Sequence, residues 1–264
     1  MIQLVVIDLD GTLLNAHHQI GLKTRAILRQ LHQTGVRLMV ATGRHYCDVR
    51  QIVASLDLPV SLITSNGARM HDCEGRLLYE SYIPAALAQQ VLDLSVKHPV
   101  HRNLYQGDNW WVEQENLPLL EIHQASGFGY RKVDFSTLAL GQIDKFYFNA
   151  AHERLVPLQQ QLQAAFADRL AITFTTDIYL EVMNFGVSKG SALAQWCAQK
   201  NLRAEEVMAF GDGFNDVDML QWVGHPVLMA NAARELKVQL PHAAAALSNA
   251  QEGVADYLQA HFLA

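Results

Sequence analysis

The chain has 264 residues, half of them hydrophobic, with a formal net charge of −6 at pH 7. That is enough apolar material for one or two ordinary cores, so extended disorder is excluded, and the acidic balance without a basic run argues against a nucleic-acid partner. Three widely spaced cysteines without ligand spacing fit reduced thiols, and the lack of a leader or an 18-residue apolar stretch argues against export and membrane spanning. The chain is therefore expected to be cytoplasmic, with no obligate protein partner.

Residues 3–8 (QLVVID) are short, apolar and β-branched, and predict a buried strand. Apolar positions at Leu22, Ala26, Ile27 and Leu31 predict a helix over 20–34, which Gly35 ends. A strand (36–43), a helix (45–56) and a strand (60–67) follow. This alternation with short joints predicts a Rossmann-like parallel sheet covered on both faces.

From residue 84 the texture changes. A helix (84–97) leads into aromatic-rich strands around LYQG and WWVE, a short helix near 116–126, a strand (143–150) and a helix (152–168). A hairpin made of AITFTTD and YLEVMN closes this block, which reads as α+β with a mostly antiparallel sheet. Helix and strand then alternate again: helix 188–201, strand 205–212, helix 215–223, strand 225–230, and helices at 232–240 and 251–262. The simplest architecture is an α/β core, 1–83 and 187–264, into which 84–186 is inserted as a second, α+β domain.

In such a sheet the ligand crevice lies beyond the carboxyl ends of the strands. Four polar groups fall there: Asp8 and Asp10 with Thr12; Thr42, Gly43 and Arg44; Ser65, Asn66 and Gly67; and Asp212, Asn215 and Asp216 in GDGFND. Lys189 opens the helix that re-enters the core. Neighbouring carboxylates stay ionised together only beside a cation, and a hard cation such as Mg²⁺ also binds phosphate oxygens. Thr42, Gly43, Lys189 and Asn215 would supply donors to an anion. The set points to phosphoryl chemistry, with Asp8 as a carboxylate nucleophile and Asp10 as the acid and base.

DLDGT, ATGR, the lysine of SKG and GDGFND, in that order, resemble the four motifs of the haloacid dehalogenase-like hydrolases, and the position of the insert resembles the Cof-type phosphatases with a large α/β cap. The resemblance implies Asp8 as nucleophile and metal ligand, Asp10 as acid and base with its carbonyl on Mg²⁺, and Asp212 as the third ligand. It implies phosphate contacts from the backbone of Leu9 and from Thr42, Gly43, Lys189 and Asn215, with Thr12 and Asp216 behind the ligands. Arg44 and Asn66 are expected at the cap or the leaving group. Its implied substrate is a small phosphorylated metabolite, pyridoxal 5′-phosphate foremost and sugar phosphates beside it.

Taken singly, each motif is ordinary: acids at strand ends cap turns, and a lysine at a helix start is usually solvated. His45, after Arg44, reads best as a surface histidine, and Trp110 and Trp111 as packing of the inserted sheet. The joint arrival of the motifs at successive strand ends favours chemistry. Two other functions would use the same residues: a phosphomutase-type phosphotransferase, and a non-catalytic metabolite-binding regulator.

Overall fold

Strand β1 (Leu4–Asp8) is buried along its whole length, and its side chains divide by parity. Leu4 and Val6 enter one apolar cluster while Val5 and Ile7 enter another, so the strand needs cover on both faces. The computed structural model, which describes residues 1–263, supplies that cover.

The chain continues through α1 (Leu22–Gln33), β2 (Arg37–Ala41), α2 (Tyr46–Ala54), β3 (Val60–Thr64), β4 (Arg69–His71) and β5 (Leu77–Glu80). A middle run follows: α3 (Ala85–Ser95), β6 (His101–Gln106), β7 (Asn109–Val112), β8 (Arg131–Lys132), β9 (Ile143–Asn149), α4 (His152–Phe166), β10 (Leu170–Thr176) and β11 (Tyr179–Asn184). The last run is α5 (Lys189–Gln199), β12 (Val207–Gly211), α6 (Val217–Trp222), β13 (His225–Met229), α7 (Arg234–Gln239), β14 (Ala244–Ala246) and α8 (Gly253–Phe262).

The first and last runs share one eight-stranded sheet, in the order β14-β13-β12-β1-β2-β3-β4-β5. From β14 to β3 every pairing is parallel, as the alternation of strand and helix predicts. Helices α1, α2 and α8 bury Leu28, Val49 and Leu258 against one face; α5, α6 and α7 bury Leu193, Leu220 and Leu236 against the other. The antiparallel strands β4 and β5 extend the sheet beyond what the sequence pattern shows. They are too short to display an alternation, and the three alanines of β14 carry no strand signal of their own.

The middle run forms its own six-stranded sheet, β10-β11-β9-β6-β7-β8, antiparallel except for the β7–β8 pair. Parity again sorts the side chains. Phe146 and Phe148 of β9 pack under α3 and α4, whereas Tyr147, with Tyr105 and Trp110, lies in a separate aromatic cluster on the opposite face. Trp110 is buried there and donates to Asn103 at 3.0 Å. Among the described residues no helix is long and apolar enough to cross a membrane.

The sheets join where the Ile83 amide donates to the Ile143 carbonyl at 2.9 Å. Beside that joint, Asp144 is fully buried and neither carboxylate oxygen has a hydrogen-bond partner. Arg69 Nε at 3.8 Å and His45 Nε2 at 4.0 Å are its nearest basic groups. Burial pushes His45 down to about 4, so it is neutral at physiological pH, while burial pushes Asp144 up to about 7.

A carboxyl whose folded pKa lies above its unfolded value loses stability as pH rises between the two. Here that window runs from about 4 to about 7, and the loss by pH 8 is at most roughly 4 kcal/mol. Asp144→Asn is therefore expected to raise Tm at pH 8 and to raise it by clearly less at pH 5, near the start of that window. Thermal melts at the two pH values check this, and a lower Tm at both would show that Arg69 requires the charge.

Candidate active site

Where β1 ends, residues Leu9–Leu13 form a single wide turn that includes Gly11 at φ +76°. A Cβ at Gly11 would lie 2.2 Å from Asp212 Oδ2, so only glycine lets this turn pass the carboxylate from β12. The turn also separates the two acids of DLD. Asp8 stays buried at the strand end; Asp10 emerges with its side chain 43% exposed.

Around Asp8 the charges are tightly packed. Lys189, at the first position of α5, donates from Nζ to Asp8 Oδ1 at 2.5 Å and to Asp216 Oδ1 at 2.7 Å. The helix start is fixed by a reciprocal bond pair between Ser188 and Ser191. Asp216 uses its other oxygen to accept the amides of Asp212 and Gly213, at 3.0 and 2.9 Å. Asp212 accepts from Thr12 Oγ1 at 2.7 Å and from Asn231 Nδ2 at 3.0 Å.

Burial, then the neighbouring charge of Asp216, holds Asp8 well above the ordinary carboxylate range, with Lys189 opposing. Burial likewise pushes Asp212 up to about 6 against the bond from Thr12. Burial alone would lower Lys189, but Asp216 and Asp8 outweigh it and the ammonium is held charged. Carboxylate oxygens of Asp8, Asp212 and Asp216 lie within 4.8 Å of one another, a hard oxygen set facing a deficit of positive charge. That donor set fits a divalent cation of the Mg²⁺ type. Asp216 gives Oδ1 to the ammonium and Oδ2 to two amides, whereas Asp212 accepts one bond on each oxygen and Asp8 accepts through Oδ1, so Asp8 and Asp212 keep more lone-pair capacity to hold it.

The other strand ends converge on the same place. Thr42, buried, follows β2 and accepts the Arg44 amide at 3.1 Å, while its carbonyl accepts the Asn66 amide at 3.0 Å. Ser65, Asn66 and Gly67 all adopt positive φ after β3. A Cβ on Gly67 would meet the Ser188 carbonyl at 2.2 Å, so this turn presses on the start of α5. Asn215 donates from Nδ2 to Asn66 Oδ1 at 2.9 Å.

Arg44 and Asn66, expected at the cap or the leaving group, both touch the inserted domain. The Arg44 guanidinium reaches the Ile122 carbonyl there, and it also grips Asp10 through two bonds, of 2.7 and 2.5 Å, and reaches Asp48. Asn66 is spanned between Asn215 and Glu181. His45 is no surface residue. It is fully buried, its Nδ1 caps α2 by accepting the Cys47 amide, and its Nε2–H donates to the Gly107 carbonyl at 2.8 Å. The inserted sheet covers it, which helix-start reasoning on the core alone does not foresee.

A cavity of about 280 Å³ joins these groups. Its floor is Asp8, Asp10, Thr42, Gly43, Asp212 and Asn215; its roof, from the inserted sheet, is Tyr105, Tyr147, Tyr179, Lys145 and Glu181. Lys145 donates to the Gly43 carbonyl and to Glu181, each at 2.7 Å, and lies 5.0 Å from the Tyr105 ring centre. A larger cleft of about 470 Å³ opens behind Asn66 and Lys189 but lacks Asp8, Asp10 and Asp212, so the smaller cavity holds the reactive groups.

The family model for haloacid dehalogenase-like hydrolases matches residues 5–258. The HMP-PP phosphatase of Serratia proteamaculans is 38% identical over the whole of this chain and 96% of its own length. A haloacid dehalogenase-like hydrolase from B. subtilis superposes with a TM-score of 0.88 at 28% identity, over 98% of this chain and 99% of its own. A subclass IIB sugar phosphatase shares the fold, with a TM-score of 0.85 at 22% identity over 98% of each chain. The chain belongs to the haloacid dehalogenase-like hydrolases. Within them it is a phosphatase.

Replacing Lys189 by Met would leave buried carboxylates without their ammonium. Lys189→Met is expected to cost about 3–5 kcal/mol at pH 7.5 and less at pH 5, where Asp8 and Asp212 take up protons instead. Urea denaturation at both pH values measures it, and an equal cost at each would show that charge is not the reason.

Proposed function

We propose that this phosphatase depends on Mg²⁺ and hydrolyses small phosphomonoesters through an aspartyl-phosphate on Asp8. The observation that carries the reading is the buried Asp8–Lys189–Asp216 cluster, with Asp212 beside it, at the floor of a cavity roofed by a second sheet.

In this reading an oxygen of Asp8 bonds to phosphorus, the bond from phosphorus to the ester oxygen breaks, and the departing alcohol takes a proton from Asp10. Water then bonds to phosphorus, the bond to Asp8 breaks, and the proton of water passes to Asp10. Lys189 holds Asp8 in line and offsets charge, and Thr42, Gly43, Asn215 and the backbone of Leu9 bind the phosphoryl oxygens. The residues that would hold the metal are Asp8, Asp212 and the carbonyl of Asp10, with Thr12 and Asn231 fixing Asp212. When bound, Mg²⁺ offsets the charge of the phosphoryl oxygens.

Residues 84–186 act as a cap that excludes water and selects the alcohol. The tyrosine-lined roof suits a flat ring, which supports pyridoxal 5′-phosphate, and the Lys145–Glu181 pair supplies polar contacts that a sugar phosphate would also use. HMP-PP, the compound in the names of the relatives, belongs in the same comparison. Phosphate release measured as kcat/KM over these compounds decides among them; activity on none would refute the reading.

Asp8→Asn is expected to lose at least about a thousandfold in kcat with an unchanged melting profile, and appreciable turnover would exclude the covalent route. Asp212→Ala is expected to move the midpoint of a Mg²⁺ titration of activity upward by roughly tenfold or more. An unmoved midpoint would remove Asp212 from the metal site.

A further inference from the structure

The Asp10 carboxylate receives side-chain hydrogen bonds from one residue among those described, Arg44. Both of its oxygens are used, by Nε at 2.7 Å and Nη2 at 2.5 Å, so the carboxylate plane is fixed by the plane of the guanidinium. What fixes the guanidinium is less obvious. Arg44 is 5% exposed and spends Nη1 on Asp48 Oδ2 at 3.1 Å and on the Ile122 carbonyl at 2.8 Å.

Both of those anchors lead into the inserted sheet. Ile122 belongs to the short helical segment Leu117–His123. Asp48, fully buried in the first turn of α2, accepts His123 Nδ1 at 2.7 Å and the hydroxyl of Ser126. Burial would raise Asp48, but the bonds and charges of His123 and Arg44 outweigh it and keep it ionised. His123 is in turn set edge-on against Trp110, with ring centres 5.1 Å apart, so the segment is anchored in the aromatic cluster of the cap.

We propose that the cap segment 117–128, acting through Asp48 and Arg44, positions Asp10 for the hydrolysis of the phosphoenzyme. The inference rests on the reading of Asp8 as nucleophile and Asp10 as base. A doubly bonded Arg44 partner is the charged carboxylate, the form that accepts a proton from attacking water, and its outer lone pairs remain available for that proton. With the cap withdrawn, Arg44 would lose Ile122, Asp48 would lose His123 and Ser126, and the guanidinium would be free to turn. The cap then does more than exclude bulk water: it must be docked for the second step to run. Asp48 and Ser126 are positioning residues in this scheme, since neither lines the reactive cavity.

The test separates the two steps with p-nitrophenyl phosphate, whose phenolate departs without a proton. In rapid-quench experiments with saturating Mg²⁺, formation and decay of acid-stable protein-bound phosphate are followed in the wild type, Asp48→Asn, Ser126→Ala and Asp10→Asn. Decay is expected to slow by roughly tenfold or more in Asp48→Asn and by a smaller factor in Ser126→Ala, with formation changed by less than about threefold. Phosphoenzyme should then accumulate, which general loosening of the fold would not produce.

Equal slowing of both steps in Asp48→Asn and Ser126→Ala, or slowing of neither, overturns the proposal. Should Asp48→Asn fail to fold, Ser126→Ala decides alone by the same criterion. Asp10→Asn guards the underlying reading: normal phosphoenzyme decay in that variant would show that Asp10 is not the base. Absence of phosphoenzyme from every variant would remove the covalent route itself, and the proposal with it.

Discussion

A single ammonium set among three carboxylates is the constraint on which this structure turns. Lys189 is fully buried and bonded to Asp8 and Asp216, with Asp212 close by, so the cluster carries more negative charge than the protein balances. Such an arrangement costs stability unless every oxygen is engaged. The fold meets that demand from several directions: α5 delivers the lysine, backbone amides after β12 satisfy Asp216, and Thr12 and Asn231 satisfy Asp212. The remaining deficit of positive charge is what a cation and a phosphoryl group would complement. A stiff, doubly covered sheet is needed because the carboxylates must be kept close against their repulsion.

Much of the core was legible because its signals are local. Continuous apolar strands, helical spacing and glycine stops mark the parallel sheet, and the polar groups at its strand ends follow from where the strands stop. Asp8, Asp212, Lys189 and Asp216 are brought together as that logic requires, though 181 to 208 residues separate Asp8 from the other three. What stayed hidden has no local signature. Asn231 is an unremarkable loop asparagine in the sequence, and becomes informative only when its amide is seen to bind both Asp212 and the Gly11 carbonyl. Asp48 is not singled out in the sequence and His45 reads as a helix-start histidine; both are buried because a sheet from elsewhere in the chain lies over them.

The inserted sheet was recognisable as a change of texture, but its role in the site was not. Alternation along β9 puts Phe146 and Phe148 under the helices and leaves Lys145 and Tyr147 on the opposite side, where they line the cavity. The period-two pattern predicts that two faces differ without saying which one meets the core. The structure answers through contacts at separations of about 40 to 115 residues: Lys145 to Gly43, Glu181 to Asn66, His123 to Asp48, and Arg69 to Asp108.

Those contacts are uneven in kind, and the difference bears on how a closed site can release its product. Lys145 and Glu181 touch the loops after β2 and β3 through polar bonds that water can replace at moderate cost. Near the joint, Asp144 is buried without a hydrogen-bond partner, which makes that region costly to keep packed at neutral pH. The Asp48 carboxylate, by contrast, is held ionised and has a partner on each oxygen, from Arg44, His123 and Ser126. In the proposed scheme closure and Asp10 orientation would draw on the same cluster, so the bonds that serve the water step would also resist opening. Asp144 acts in the opposite direction, since its burial makes the packing where the two sheets join less favourable as pH rises towards about 7.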